Sequence, residues 1–179
     1  MRDGELGCAL SHLGVYKKII DASIDIAVIL EDDAILFDCF PKVIRFLEKT
    51  VDVHAPIAVL LANHSGRDYT DFGLHKIDSS YFAEGYVITK VAAERILNTN
   101  YPVLCPADSW GYWKDKCGIT LYQMSPAACD QQWEAEGYLS DITPNSNSVV
   151  SVEDMSLCGK VVWKIKRLVG LTIAGLLYR

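Results

Sequence analysis

The chain has 179 residues, half of them apolar and 22% charged, which excludes a disordered chain and is enough for one domain with its own core. Gly and Pro together make up about a tenth of it, so it is neither collagen-like nor of low complexity. Its net charge of −6 is unevenly spread: no acid follows Asp154, while Lys160, Lys164, Lys166, Arg167 and Arg179 do, and the acidic body this leaves is a poor partner for nucleic acid.

In chain order, residues 5–22 are predicted to form an amphipathic helix with Asp3 as its cap. Leu6, Leu10, Leu13 and Ile20 mark one face, with Ala9 and Tyr16 beside them. Residues 26–30 (IAVIL) are a short unbroken apolar run, the pattern of a strand buried on both faces as in a parallel sheet. A second helix is expected near 41–50, with Pro41 in its first turn and Val43, Ile44, Phe46 and Leu47 facing inward. Residues 57–62 repeat the buried-strand pattern. Residues 63–80 form a polar loop with a short strand near His75–Ile77, and residues 84–88 form a strand. Thr89 caps a helix over 90–98. An aromatic-rich region around Asp108 leads to a strand at 119–122, and 125–155 is expected to be irregular. Helices alternating with short buried strands point to an α/β layer fold.

Glu31, Asp32 and Asp33 follow the first strand directly. Ligands of open α/β sheets bind just outside the carboxyl ends of strands. If the extended geometry persists, Glu31 and Asp33 point to one side and Asp32 to the other. Three adjacent carboxylates repel one another unless a cation sits among them, and hard divalent cations are often shared with substrate phosphates. The alternative is a solvated acidic turn.

The stretches GELGCALSHLGVYKKIID (4–21) and AVILEDDAIL (27–36) closely resemble glycosyltransferase family 25, the lipooligosaccharide-type galactosyl- and glucosyltransferases. EGYVITK (84–90) with Ala92, Ala93 and Arg95, PADSW (106–110) and SDI (140–142) resemble later segments of the family. The resemblance spans about residues 4–142 and implies a GT-A-like fold, a mixed and mostly parallel sheet flanked by helices; residues 1–155 are taken as that domain, and the charge pattern marks 156–179 as a basic amphipathic tail. It implies hexose transfer, with inversion, from a UDP-sugar (UDP-galactose or UDP-glucose) to a lipooligosaccharide acceptor. It places Glu31, Asp32 and Asp33 at the acidic-motif positions, Asp33 and Glu31 holding Mn²⁺ or Mg²⁺, and His12 and Asp32 contacting the donor with Glu31. Family members carry another strand and helix before the GELGC stretch. The chain starts at Met1, so the sheet is expected to lack a strand and part of the nucleotide pocket. The rival reading is a truncated, non-catalytic relative that binds membrane or partner proteins; a metal-dependent phosphoesterase is a third.

His12 lies mid-helix, either as a packing residue or as a group that contacts the donor or fixes the acidic loop. Asp108 is the first candidate for the general base, with Trp110, Tyr112 and Trp113 as a wall for a sugar face. The alternative is a helix-capping Asp beside core aromatics. Glu84 and Asp130 are its rivals, and Gly85 would let backbone approach a ligand closely. His54, His64 and His75 carry no ligand spacing and read as surface residues. Six scattered cysteines without a CxxC pair read as small apolar residues of a reducing compartment. Residues 1–7 are polar and acidic, unlike a signal peptide. In 159–179, Lys160, Lys164 and Arg167 share one helical face, and the apolar run is too short to span a bilayer. That is the pattern of a helix lying in a membrane interface, which the function implied by the resemblance would place at the cytoplasmic face of a bacterial membrane, or of one packed on the core.

Overall fold

The computed structural model describes residues 1–64, 67 and 69–131, together with the backbone of two short strands, Val161–Lys164 and Ala174–Gly175. The SDI segment, the division at 155/156 and most of the tail lie outside the described residues.

The chain opens with α1 (Asp3–Asp21), whose first turn is closed by Glu5 Oε2 accepting from the Arg2 N–H at 2.7 Å. Its buried face is Ala9, His12, Leu13, Val15, Tyr16 and Ile19, so the face is rotated from the one predicted, and Leu6 and Leu10 are only half-buried. β1 (Ile26–Leu30) leads into the acidic triplet and a short β2 (Ala34–Leu36). α2 (Phe40–Thr50) has Pro41 in its first turn and buries Val43, Ile44 and Leu47. After β3 (Ile57–Leu60) and β4 (Gly73–Lys76), β5 (Gly85–Thr89) ends where α3 (Lys90–Thr99) begins. Thr89 joins the two: its Oγ1 accepts from Ala92 N at 3.3 Å and donates to Ala55 O at 2.8 Å. α4 (Trp110–Cys117) ends on Gly118 at φ 60°, a left-handed position, with Arg95 donating to the carbonyls of Cys117 and Gly118 at 3.1 Å. β6 (Thr120–Ser125) and β7 (Cys129–Gln131) follow, and the two strands of the tail are β8 (Val161–Lys164) and β9 (Ala174–Gly175).

The main sheet runs β4-β6-β3-β5-β1-β8-β9, and β2 pairs separately with β7. The expectation of a mostly parallel sheet does not hold. Only β3–β6 is parallel among the described pairings; β1–β5, β3–β5, β4–β6, β1–β8 and β8–β9 are antiparallel. β1 and β3 point the same way, with α2 in the chain between them, but β5 inserts antiparallel between the two. The apolar runs are continuous because both faces of the sheet are covered, and a doubly buried strand carries no mark of its direction. Ala27, Ile29, Ala58, Leu60, Tyr86 and Ile88 pack toward α1, α3 and α4. Val28, Val59, Leu61 and Val87 pack toward α2.

The predicted helix over 159–179 is corrected at Val161–Lys164, where the backbone pairs with β1 from Ala27↔Lys164 to Leu30↔Val161. Among the described residues no helix is long and apolar enough to cross a membrane.

Candidate active site

The chain returns to one end of the sheet four times. Glu31 follows β1, His64 lies four residues past β3, Glu84 precedes β5, and Asp130 lies in β7, just beyond β6. The Glu31 N–H donates to the Glu84 carbonyl at 2.8 Å, so the ends of β1 and β5 are stitched together where their acidic side chains emerge.

The acidic triplet does not stay extended. Ala34 N donates to Glu31 O at 3.2 Å and closes a turn. Glu31 is half-buried, Asp32 is exposed, and Asp33 is half-buried. Gln131 Nε2 donates to Asp33 Oδ2 at 2.6 Å, fixing the carboxylate from the neighbouring strand β7. Asp33 Oδ1 is buried and has no hydrogen-bond partner among the described residues. Such an oxygen is costly unless a ligand satisfies it.

His12 is buried at 1% exposure on the inner face of α1. Its Nε2 lies 3.1 Å from Glu31 Oε1 and its Nδ1 2.6 Å from the Tyr86 hydroxyl, which is 2.8 Å from the Tyr16 hydroxyl. Burial pushes both phenols well above the usual tyrosine range, so they act as neutral hydrogen-bonding groups. Cys8, one turn before His12, brings its Sγ to 3.7 Å from the same Glu31 oxygen.

Glu84 is 2% exposed, and its Oε1 is hydrogen-bonded to His64 Nε2. Burial raises its pKa above the usual carboxylate range; His64 opposes that and Glu31 adds to it. His64, Glu84 and Asp130 place their ligand atoms within 4.8 Å of one another. The residue two before Glu84, Phe82, adopts φ 69°, rare outside glycine. It is pinned from both sides: Asp108 Oδ2 accepts from its N–H at 3.2 Å and Trp110 Nε1 donates to its carbonyl at 2.8 Å. The His64 ring lies against the Phe82 ring, centroids 4.7 Å apart.

These placements revise several sequence expectations. The proposed sugar wall is core: Trp110 and Trp113 are fully buried, and Trp113 Nε1 donates to Ala107 O at 3.2 Å. Asp108 reaches the site through the Phe82 backbone. Gly85 serves packing, because a Cβ there would run into the Cys129 thiol and crowd Leu30. Gly85→Ala should therefore destabilise the fold by about 1–3 kcal/mol in urea denaturation. Cys129 itself is buried and its thiol is pushed up to about 12, chiefly by that burial, so it stays a neutral apolar filler. His64 is not a mere surface residue. Nothing in its local sequence marks it, whereas Cys8 and His12, four apart on one helix, are a pairing the sequence does contain.

The comparisons with known proteins agree with the resemblance. The model of glycosyltransferase family 25 (LPS biosynthesis protein) matches residues 1–77, which include α1, the acidic turn and His64. A procollagen lysyl hydroxylase and glycosyltransferase of Acanthamoeba polyphaga mimivirus is 28% identical over 144 residues, covering 73% of this chain and 16% of its own length. Procollagen galactosyltransferase 2 of Homo sapiens is 28% identical over 119 residues, covering 60% of this chain and 19% of its own. The lacto-N-neotetraose biosynthesis glycosyltransferase LgtE of Neisseria meningitidis is 26% identical over 157 residues, covering 76% and 55%. The chain thus spans about half of the bacterial relative and under a fifth of the other two.

Proposed function

We propose that this chain is a family 25 glycosyltransferase that moves a hexose, galactose in the first instance, from a UDP-sugar to a hydroxyl of a lipooligosaccharide-type glycan. The observation that carries the reading is the convergence of Glu31, Asp33, Glu84 and His64 at one end of the sheet, where the strand ends are hydrogen-bonded together. The name of procollagen galactosyltransferase 2 supports galactose; the family description, LPS biosynthesis, and the lacto-N-neotetraose of LgtE, of whose length far more is matched, support a lipooligosaccharide-type glycan as acceptor.

Transfer with inversion needs one carboxylate to take the acceptor's proton as the anomeric carbon is attacked. We assign that role to Glu84 in place of Asp108. A buried carboxylate with a raised pKa is the stronger base once ionised, and His64 orients it. Asp108 is a positioning residue that holds Phe82, and through it the approach to β5. The orphaned Asp33 Oδ1 fits a hard divalent cation, Mn²⁺ or Mg²⁺, which Asp33 would chiefly hold, with Glu31 from the same turn as its second ligand. Such an ion would supply positive charge to a diphosphate leaving group. Asp32, exposed on the same turn, would contact the donor's polar groups.

UDP release by the purified full chain, given UDP-galactose, Mn²⁺ and a glycan acceptor, tests the reading. Acceptor-dependent release supports it. Neither release nor UDP-galactose binding by a folded chain would replace it with the non-catalytic alternative.

A further inference from the structure

Cys8 and His12 lie one turn apart on α1 and meet Glu31 at the end of β1, bringing a thiol, an imidazole and a carboxylate to one point. We propose that Cys8, His12 and Glu31 form a binding site for a thiolate-preferring divalent cation of the zinc class, beside the hard-cation position at Asp33 and sharing Glu31 with it.

The spacing of the donors supports it. Zinc bonds of about 2.0–2.1 Å to N or O and about 2.3 Å to S, at a tetrahedral angle, put N and O ligand atoms about 3.3 Å apart and S and O about 3.6 Å apart. Here His12 Nε2 to Glu31 Oε1 is 3.1 Å and Cys8 Sγ to the same oxygen is 3.7 Å, with all three ligand atoms within 4.8 Å of one another.

The imidazole is also held as a metal ligand is held. When Nε2 faces a cation, Nδ1 carries the proton and needs an acceptor, and the Tyr86 hydroxyl stands 2.6 Å away. That hydroxyl can then give its own hydrogen to the Tyr16 oxygen, 2.8 Å away. The Tyr86 ring stacks on the imidazole at 5.7 Å between centroids and fixes its plane. Charge balances too: the thiol loses its proton to solvent on binding, and thiolate and carboxylate together neutralise the dication. Half-buried Cys8 and Glu31, with 18% of the Glu31 side chain exposed, leave an entry path. Three protein donors leave the fourth position for a water or an anionic oxygen.

The site does not depend on the transferase reading, although Glu31 belongs to both cation positions. The test uses the full chain, stripped of metal and titrated with Co²⁺ and with Zn²⁺ against a chromophoric chelator. The wild-type chain should take up one equivalent and show a thiolate-to-cobalt charge-transfer band. Cys8→Ser, a conservative change at a partly exposed position, should melt like the wild type without metal. It should lose the band and bind Zn²⁺ on the order of a hundredfold more weakly. His64→Gln and Asp33→Ala should both keep the band. A folded wild-type chain that takes up no stoichiometric Zn²⁺ overturns the proposal. So does a band that survives Cys8→Ser, or one that Asp33→Ala or His64→Gln abolishes. None of these readouts requires donor or acceptor, so failure here leaves the transferase reading standing.

Discussion

Glu84→Gln is expected to lower hexose transfer by about 10²–10⁴-fold while leaving UDP-sugar affinity nearly unchanged, since it removes a proton acceptor and not a donor contact. Asp108→Asn keeps an oxygen for the Phe82 N–H and should stay within a few-fold of wild type. A reversal of the two results would move the base to Asp108. The same Glu84 variant has a stability signature. Burial raises the Glu84 pKa, so its carboxyl is best accommodated in the neutral form. That contribution is fully present below the ordinary carboxylate value and is lost as pH rises through the raised one. Glutamine has no such loss. The melting temperature of Glu84→Gln, close to wild type in acid, should therefore climb above it as pH rises toward neutrality. A gap that stays flat or narrows with pH would remove burial of the charge as the source of Glu84's basicity.

The second large effect concerns the acidic turn. Asp33→Ala should abolish the Mn²⁺-dependent part of UDP-galactose affinity, on the order of a hundredfold or more, with little change in fold. The stability cost is small because Asp33 makes one hydrogen bond, to Gln131, and its other oxygen is buried without a partner among the described residues. Losing a single hydrogen bond costs about 1 kcal/mol, and relieving the orphaned oxygen offsets part of it. Calorimetric titration of both proteins, with and without Mn²⁺, checks this. Equal affinities at similar melting temperatures would take Asp33 out of donor binding.

Trp110 is fully buried, its ring lies edge-on to Tyr86 at 4.8 Å, and its indole N–H holds the Phe82 carbonyl. One side chain thus links the helical layer, the Tyr86–His12 hydrogen bond and the strained residue beside Glu84. A sequence reading that took Trp110 for a sugar platform saw the right neighbourhood and the wrong direction. Its burial follows from how α4 sits on the sheet.

Several features of this protein were determined locally and could be read from the sequence. The runs at 26–30 and 57–60 are strands because only apolar residues fit a sheet covered on both faces. Thr89 starts a helix because its hydroxyl meets an orphaned N–H. Glu31, Asp32 and Asp33 stand out locally because three adjacent carboxylates repel one another unless a cation or solvent faces them. Tertiary structure decided the rest. Strand direction was set by β5 inserting between β1 and β3, which no periodicity records. β2 and β7 exist because they pair with each other, although neither run is long or regular enough to be read as a strand alone. His64 meets Glu84 because β3 ends beside β5, and Cys8 meets Glu31 because α1 covers the face of the sheet that carries Ala27 and Ile29. Local chemistry fixes which residues can act. Only the packing of distant segments, through contacts that sequence spacing does not encode, fixes which of them act together.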